Sequence, residues 1–105
     1  MLEITKHKVN GLNEKIAIHA VGEPGPGGAY SDYKITIGGL ETNIHFQEGI
    51  DFFNGLSNEA LLAVVEHRLN CFQEGPFACM ENMVAAIKVR EALELLHKRT
   101  LDRVA

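Results

Sequence analysis

Tyr33-Lys34-Ile35-Thr36-Ile37-Gly38-Gly39-Leu40-Glu41-Thr42-Asn43-Ile44-His45-Phe46-Gln47 reads as two strands joined by a tight turn. Tyr33, Ile35 and Ile37 alternate with Asp32, Lys34 and Thr36, a period of two that sends apolar and polar side chains to opposite faces. Gly38-Gly39 suits a two-residue hairpin, because glycine accepts the positive φ that primed turns require. The return strand runs from Leu40 to Gln47, with Ile44 and Phe46 on one face.

Upstream, Lys15-Ile16-Ala17-Ile18-His19-Ala20-Val21 reads as another strand, and a weaker one occupies Leu2 to Val9, turning at Asn10-Gly11. Between the strands lies Gly22-Glu23-Pro24-Gly25-Pro26-Gly27-Gly28-Ala29, too rich in glycine and proline for regular structure. The simpler reading of this loop is a solvated hairpin connection; the functional one is a rim whose glycines let backbone approach a ligand closely.

Downstream the pattern turns helical. Ser57 is a good N-cap for Asn58-Glu59-Ala60-Leu61-Leu62, since its hydroxyl accepts from the free amides of the first turn. Leu61, Val65, Leu69 and Phe72 recur at spacings of four and three, and Gly75-Pro76 ends the run. A second helix is expected from about Phe77–Cys79 to Arg103, roughly 25 residues or about 37 Å. Met80, Val84 and Ile87 form one stripe on it, with Ala86, Val89, Leu93 and Leu96 beside them, and Glu94 and Lys98 sit at i,i+4 on the outer side.

These elements predict an α+β fold: an N-terminal antiparallel sheet of four or five strands followed by two C-terminal helices. The chain reads as one domain over residues 1–105, with a β half at 1–54 and a helical half at 55–105. A helix of that length presents more apolar surface than a small sheet covers, so self-association, a homodimer at least, is expected.

Composition narrows the function. With 46% hydrophobic and 23% charged residues in a chain of 105, a modest core is possible and disorder is not indicated. A net charge of -4 argues against wrapping DNA or RNA, which draws affinity from displaced counterions; small anionic ligands need only a local cluster. Met1-Leu2-Glu3-Ile4-Thr5-Lys6 lacks the apolar stretch of a secretory signal, and no run of about 18 apolar residues could span a bilayer. A cytosolic protein is expected, with Cys71 and Cys79 as reduced interior thiols.

Catalytic chemistry finds little support. His67 and Cys71 lie at i,i+4 and could offer two metal ligands, but structural zinc needs four and no Cys-x-x-Cys or His-x-x-x-His completes the set. Neither cysteine is placed with a histidine base and an oxyanion hole, and Glu41, Glu48, Glu59, Glu74 and Glu81 have an ordinary reading as solvated charges. The glycines at 22–28 lack the lysine of a phosphate loop and do not open a helix. No enzyme, cofactor or metal is therefore expected.

Two clusters suggest binding. Phe72, closing the first long helix, can stack on a nucleobase, and Asn82, in the first turn of the next, can donate to and accept from a base edge or ribose. On the residues alone, the reading with Phe72 in the core and Asn82 near a cap leads. Lys98-Arg99-Thr100 with Arg103 either complements the negative helix end or forms a second phosphate site.

Several motifs together resemble the first Thoeris anti-defence family, phage-encoded sponge proteins. They are Phe46-Gln47-Glu48-Gly49, Asn54-Gly55-Leu56-Ser57-Asn58-Glu59-Ala60-Leu61-Leu62, Arg68-Leu69, Phe72-Gln73, Gly75-Pro76-Phe77-Ala78-Cys79, Glu81-Asn82 and Lys98-Arg99-Thr100-Leu101-Asp102-Arg103. The resemblance implies a sheet-and-two-helix protein assembled as a dimer or as a hexamer of three dimers, acting in the cytoplasm of the infected bacterium. It further implies sequestration, without cleavage, of cyclic ADP-ribose isomers made by TIR-domain enzymes. The residues matching Phe72 and Asn82 would contact that ligand between subunits, and those matching Arg99 and Thr100 would line a separate site for cyclic oligonucleotides of CBASS. Two departures stand out: Met80 occupies a position where the family usually carries arginine, and Ala105 is reached before the family's Gly-x-Glu-Gly-Thr tail.

Overall fold

The computed structural model describes residues 1–50 and 52–104, with side chains described as far as Asp102. Arg103, the last member of the cationic cluster, lies outside the described side chains. The chain divides into two compact units, Met1–Leu56 and Ser57–Ala105. Together they give the α+β architecture expected, four antiparallel strands followed by two long helices.

In the first unit, β1 (Leu2–Ile4), β2 (Ile16–Val21), β3 (Asp32–Ile37) and β4 (Leu40–His45) form a meander in the order β1-β2-β3-β4. Registers Ile18↔Ile35, Ala20↔Tyr33 and Tyr33↔Ile44 gather the apolar side chains on one face, while Glu3, His19, Lys34 and Asn43 share the other. Ala20, at 1% exposure, is the buried centre of this face, and the Tyr33 ring meets Phe46 edge-on at 5.6 Å. Ile37 pairs with Leu40, so Gly38-Gly39 is the two-residue turn, with φ of 58° at Gly38. The glycine- and proline-rich segment is the hairpin connection between β2 and β3, closed by main-chain bonds from Gly25 to Ala29 and from Gly28 to Gly25.

The N-terminal edge differs from its expected form. β1 ends at Ile4 rather than reaching Val9, because Lys8 N–H donates back to Thr5 O and turns the chain. Asn10 does not open a hairpin; its side chain caps a one-turn helix, α1 (Gly11–Glu14), by accepting from Asn13 N–H. Asparagine before glycine suits a hairpin turn and a helix cap alike, and here the cap is formed.

From β4 the chain enters a loop tied by two amide side chains. Gln47 Nε2 donates to Gly49 O at 3.1 Å and Phe52 O at 2.7 Å, and Gln47 Oε1 accepts from Asn54 and Gly55 N–H at 3.0 and 3.3 Å. Asn54 answers with both ends of its own amide on Glu48, accepting from N–H at 2.8 Å and donating to O at 2.7 Å. These bonds satisfy backbone groups that have no ladder partner. The Phe-Gln and Asn-Gly-Leu motifs thus have an architectural use.

In the second unit, α2 (Asn58–Glu74) packs on α3 (Met80–Val104). Ser57 Oγ accepts from Ala60 N–H and caps α2, as its position before the apolar run predicts. On α3 the side chains withdrawn from solvent are Asn82, Ala86, Val89, Ala92, Leu93 and Leu96; apart from Ala92 they are spaced four, three, four and three as in a helix-pair seam. Burying Leu93 contributes about 1.5–3 kcal/mol. The stripe through Met80, Val84 and Ile87 is offset by two residues, about 200° around the helix, and stays exposed. On α2, Val65 and Phe72 are likewise exposed, while Leu61 and Leu69 are half-buried.

Candidate functional site

The last turns of α2 and the segment after it enclose an open cleft of about 560 Å³. Val64, Arg68 and Phe72 form one i,i+4 row of its wall, His67 and Cys71 form the adjacent row, and Gly75, Pro76 and Phe77 turn back to complete it. Gly75 N–H donates to Phe72 O and ends the helix, and Pro76 has no N–H with which to continue it. The volume falls in the range typical of small-ligand sites. Most of the wall is apolar; the polar groups are one guanidinium, one imidazole and one thiol.

Phe72 is not a core residue. It stands 39% exposed on the cleft wall, with the Arg68 guanidinium carbon 5.3 Å from its ring centroid, within cation–π range. Phe77, 76% exposed, faces the same cleft from the connection. Asn82 sits one turn into α3, half-buried at the head of the seam with α2, and is not among the residues lining the cleft. Its backbone N–H donates to Cys79 Sγ at 3.4 Å, so a thiol takes the N-cap role at the start of α3. Gln73 Oε1 accepts from Cys79 N–H at 3.0 Å and ties this corner to α2.

Arg99 and Thr100 are exposed near the other end of α3, about 26 Å along the axis from Asn82. Lys98, beside them, is engaged with Asp102 at 2.9 Å. No described carboxylate pairs with Arg99.

Both thiols are free and exposed, contrary to the interior position expected of them. Cys71 Sγ lies 3.8 Å from the His67 ring, the contact that the i,i+4 spacing implies. Among the described residues, no group of three His, Cys, Asp or Glu side chains is arranged to hold a metal ion. No helix among them is long and apolar enough to cross a membrane.

Sequence reasoning singled out Phe72 but not the guanidinium beside it. Its signal is the Val64, Arg68, Phe72 row, readable once α2 is known to end at Glu74.

No protein-family model matches the sequence. A curated relative from Bacillus phage SBSphiJ7, described as Thoeris anti-defense 1, is 50% identical over 50 residues. The matched stretch is 48% of this chain and 35% of the relative, so the chain spans about a third of the length of the relative it matches.

Proposed function

We propose, starting from the phage Thoeris anti-defence relative that is 50% identical over 48% of this chain, that the protein is a stoichiometric sponge for a cyclic nucleotide signal. Its ligands are cyclic ADP-ribose isomers, glycocyclic ADP-ribose among them, made by TIR-domain proteins of Thoeris in the cytoplasm of the infected cell. The observation that carries this reading is the exposed Phe72 ring on the wall of a 560 Å³ cleft, where a core phenylalanine would have been withdrawn from solvent. Phe72 stacks on the base, and Asn82 hydrogen-bonds the ligand from a neighbouring subunit.

A sponge must hold its signal rather than turn it over. Nanomolar affinity corresponds to about -12 kcal/mol, and enclosure between subunits is one route to it. The exposed Met80, Val84 and Ile87 stripe on α3 supports self-association, because an apolar row of that length is costly to leave in water. Analytical ultracentrifugation is expected to give a dimer or a hexamer; a monomer at micromolar concentration would count against the assembly. In a hexamer, Arg99 and Thr100 line a second site for cyclic oligonucleotides of CBASS. Their separation of about 26 Å from Asn82 along α3 supports a site distinct from the first.

The deciding experiment incubates the protein with a TIR-made cyclic ADP-ribose isomer, removes it by filtration and then heat-denatures it. The ligand is expected to vanish from the filtrate and to return chemically intact. Release of an altered product would make the protein an enzyme and end the sponge reading. In the same assay with a cyclic trinucleotide, Arg99→Ala is expected to abolish capture while sparing the ADP-ribose isomer; joint loss of both would mean one site.

A further inference from the structure

We infer that Arg68 is the phosphate-binding cation of the α2 cleft, so that the cleft selects a planar heterocycle joined to phosphate. The assignment rests on the small-ligand reading of the cleft but not on the identity of the ligand.

Its first support is the company Arg68 keeps. On α3, Lys88 pairs with Glu91, Arg90 with Glu94 and Lys98 with Asp102, each at i,i+3 or i,i+4. Arg68 has Val64, Val65, Cys71 and Phe72 at those offsets, none of them acidic, and no described carboxylate bridges to it. Among the described residues, the cleft wall holds no carboxylate. In a chain of net charge -4, this concavity therefore carries an uncompensated positive charge. An anion entering it meets Arg68 and no carboxylate among the lining residues.

The second support is geometry. The guanidinium carbon lies 5.3 Å from the Phe72 ring centroid, so the charge and the stacking surface occupy one wall. A guanidinium is planar, stacks on aromatic faces and presents a rigid fork of donors that fits two phosphate oxygens at once. A heterocycle packed against this wall brings its phosphate within reach of the fork. A cleft of about 560 Å³ accommodates both parts, far more than an isolated anion needs.

Calorimetry on the full chain tests the assignment with three probes: a cyclic ADP-ribose isomer, ADP, and adenosine, which has no phosphate. Arg68→Ala is expected to weaken the cyclic isomer and ADP by about tenfold to a hundredfold, the worth of a charged hydrogen-bond pair. Adenosine binding should change by less than about threefold. Arg68→Lys should recover part of the loss, since charge returns without the fork; a residue that merely shields Phe72 would give no such split between probes. If Arg68→Ala binds the cyclic isomer as wild type does while Phe72→Ala does not, the assignment is overturned and the sponge reading survives. If wild type ignores the cyclic isomer but binds ADP through Arg68, the sponge reading falls and the assignment stands. Binding of neither overturns both.

Discussion

Phe72→Ala is expected to weaken binding of the cyclic ADP-ribose isomer by about tenfold to a hundredfold while the protein folds and assembles as before. Base–aromatic stacking is worth about 1–3 kcal/mol per base, and alanine removes all of it. The fold should tolerate the change because Phe72 is 39% exposed and lines an open cleft. Calorimetry with far-UV circular dichroism and size-exclusion chromatography checks both halves of the expectation. Full anti-Thoeris protection by Phe72→Ala in cells would instead favour a protein-interaction module, working through the exposed apolar stripe of α3 on a host factor.

The second large effect is structural. At Gly55 an added Cβ would sit 2.5 Å from Phe46 C and 2.7 Å from the carbonyl oxygens of His45 and Phe46, all backbone atoms that cannot swing aside. Gly55→Ala must therefore open the bridge between Phe46 and Leu56 or break the bonds from Asn54 and Gly55 to Gln47. Forcing atoms into a packed site costs about 1–3 kcal/mol, a fall in Tm of at least about 4 °C for a chain of this size. Differential scanning calorimetry reads it directly. An unchanged Tm would mean that the loop gives way freely and that its hydrogen-bond knot contributes little.

Strands β3 and β4 are legible in the sequence because apolar and polar residues alternate along them, and β2 because it is a short apolar run with His19 as its one polar residue. Ser57 is legible for a similar reason: a cap residue directly before an apolar run has a definite local job. The Gln47 and Asn54 knot is not legible, because side-chain bonds to backbone two to eight residues away leave no periodic trace. The faces of α3 mislead in a different way. Its apolar residues fall on two sides, and spacing alone does not say that the row through Ala86 and Leu93 meets α2 while the row through Val84 and Ile87 does not.

The candidate site divides along the same line. Phe72 is readable as an aromatic residue at a helix end, but its exposure is not, since Leu61 and Leu69 share its apparent face and are half-buried. His67 and Cys71 draw attention as a ligand pair, whereas the structure uses them as wall beside the guanidinium. Arg68 is readable only as the middle of the Val64, Arg68, Phe72 row, and what marks it there is the absence of an acidic partner at the helical offsets.

The two longest connections of the first unit should differ in how freely evolution can lengthen them. The Gly22–Ala29 segment closes on itself through main-chain bonds at its base, so extra residues can be looped out between Gly25 and Ala29 without disturbing the strands. The segment between Phe46 and Leu56 has no such freedom. Gln47 reaches forward to Asn54 and Asn54 reaches back to Glu48, so inserting or deleting a single residue between them would throw both amides out of register. Among homologous chains, length polymorphism should collect in the first connection and be shut out of the second.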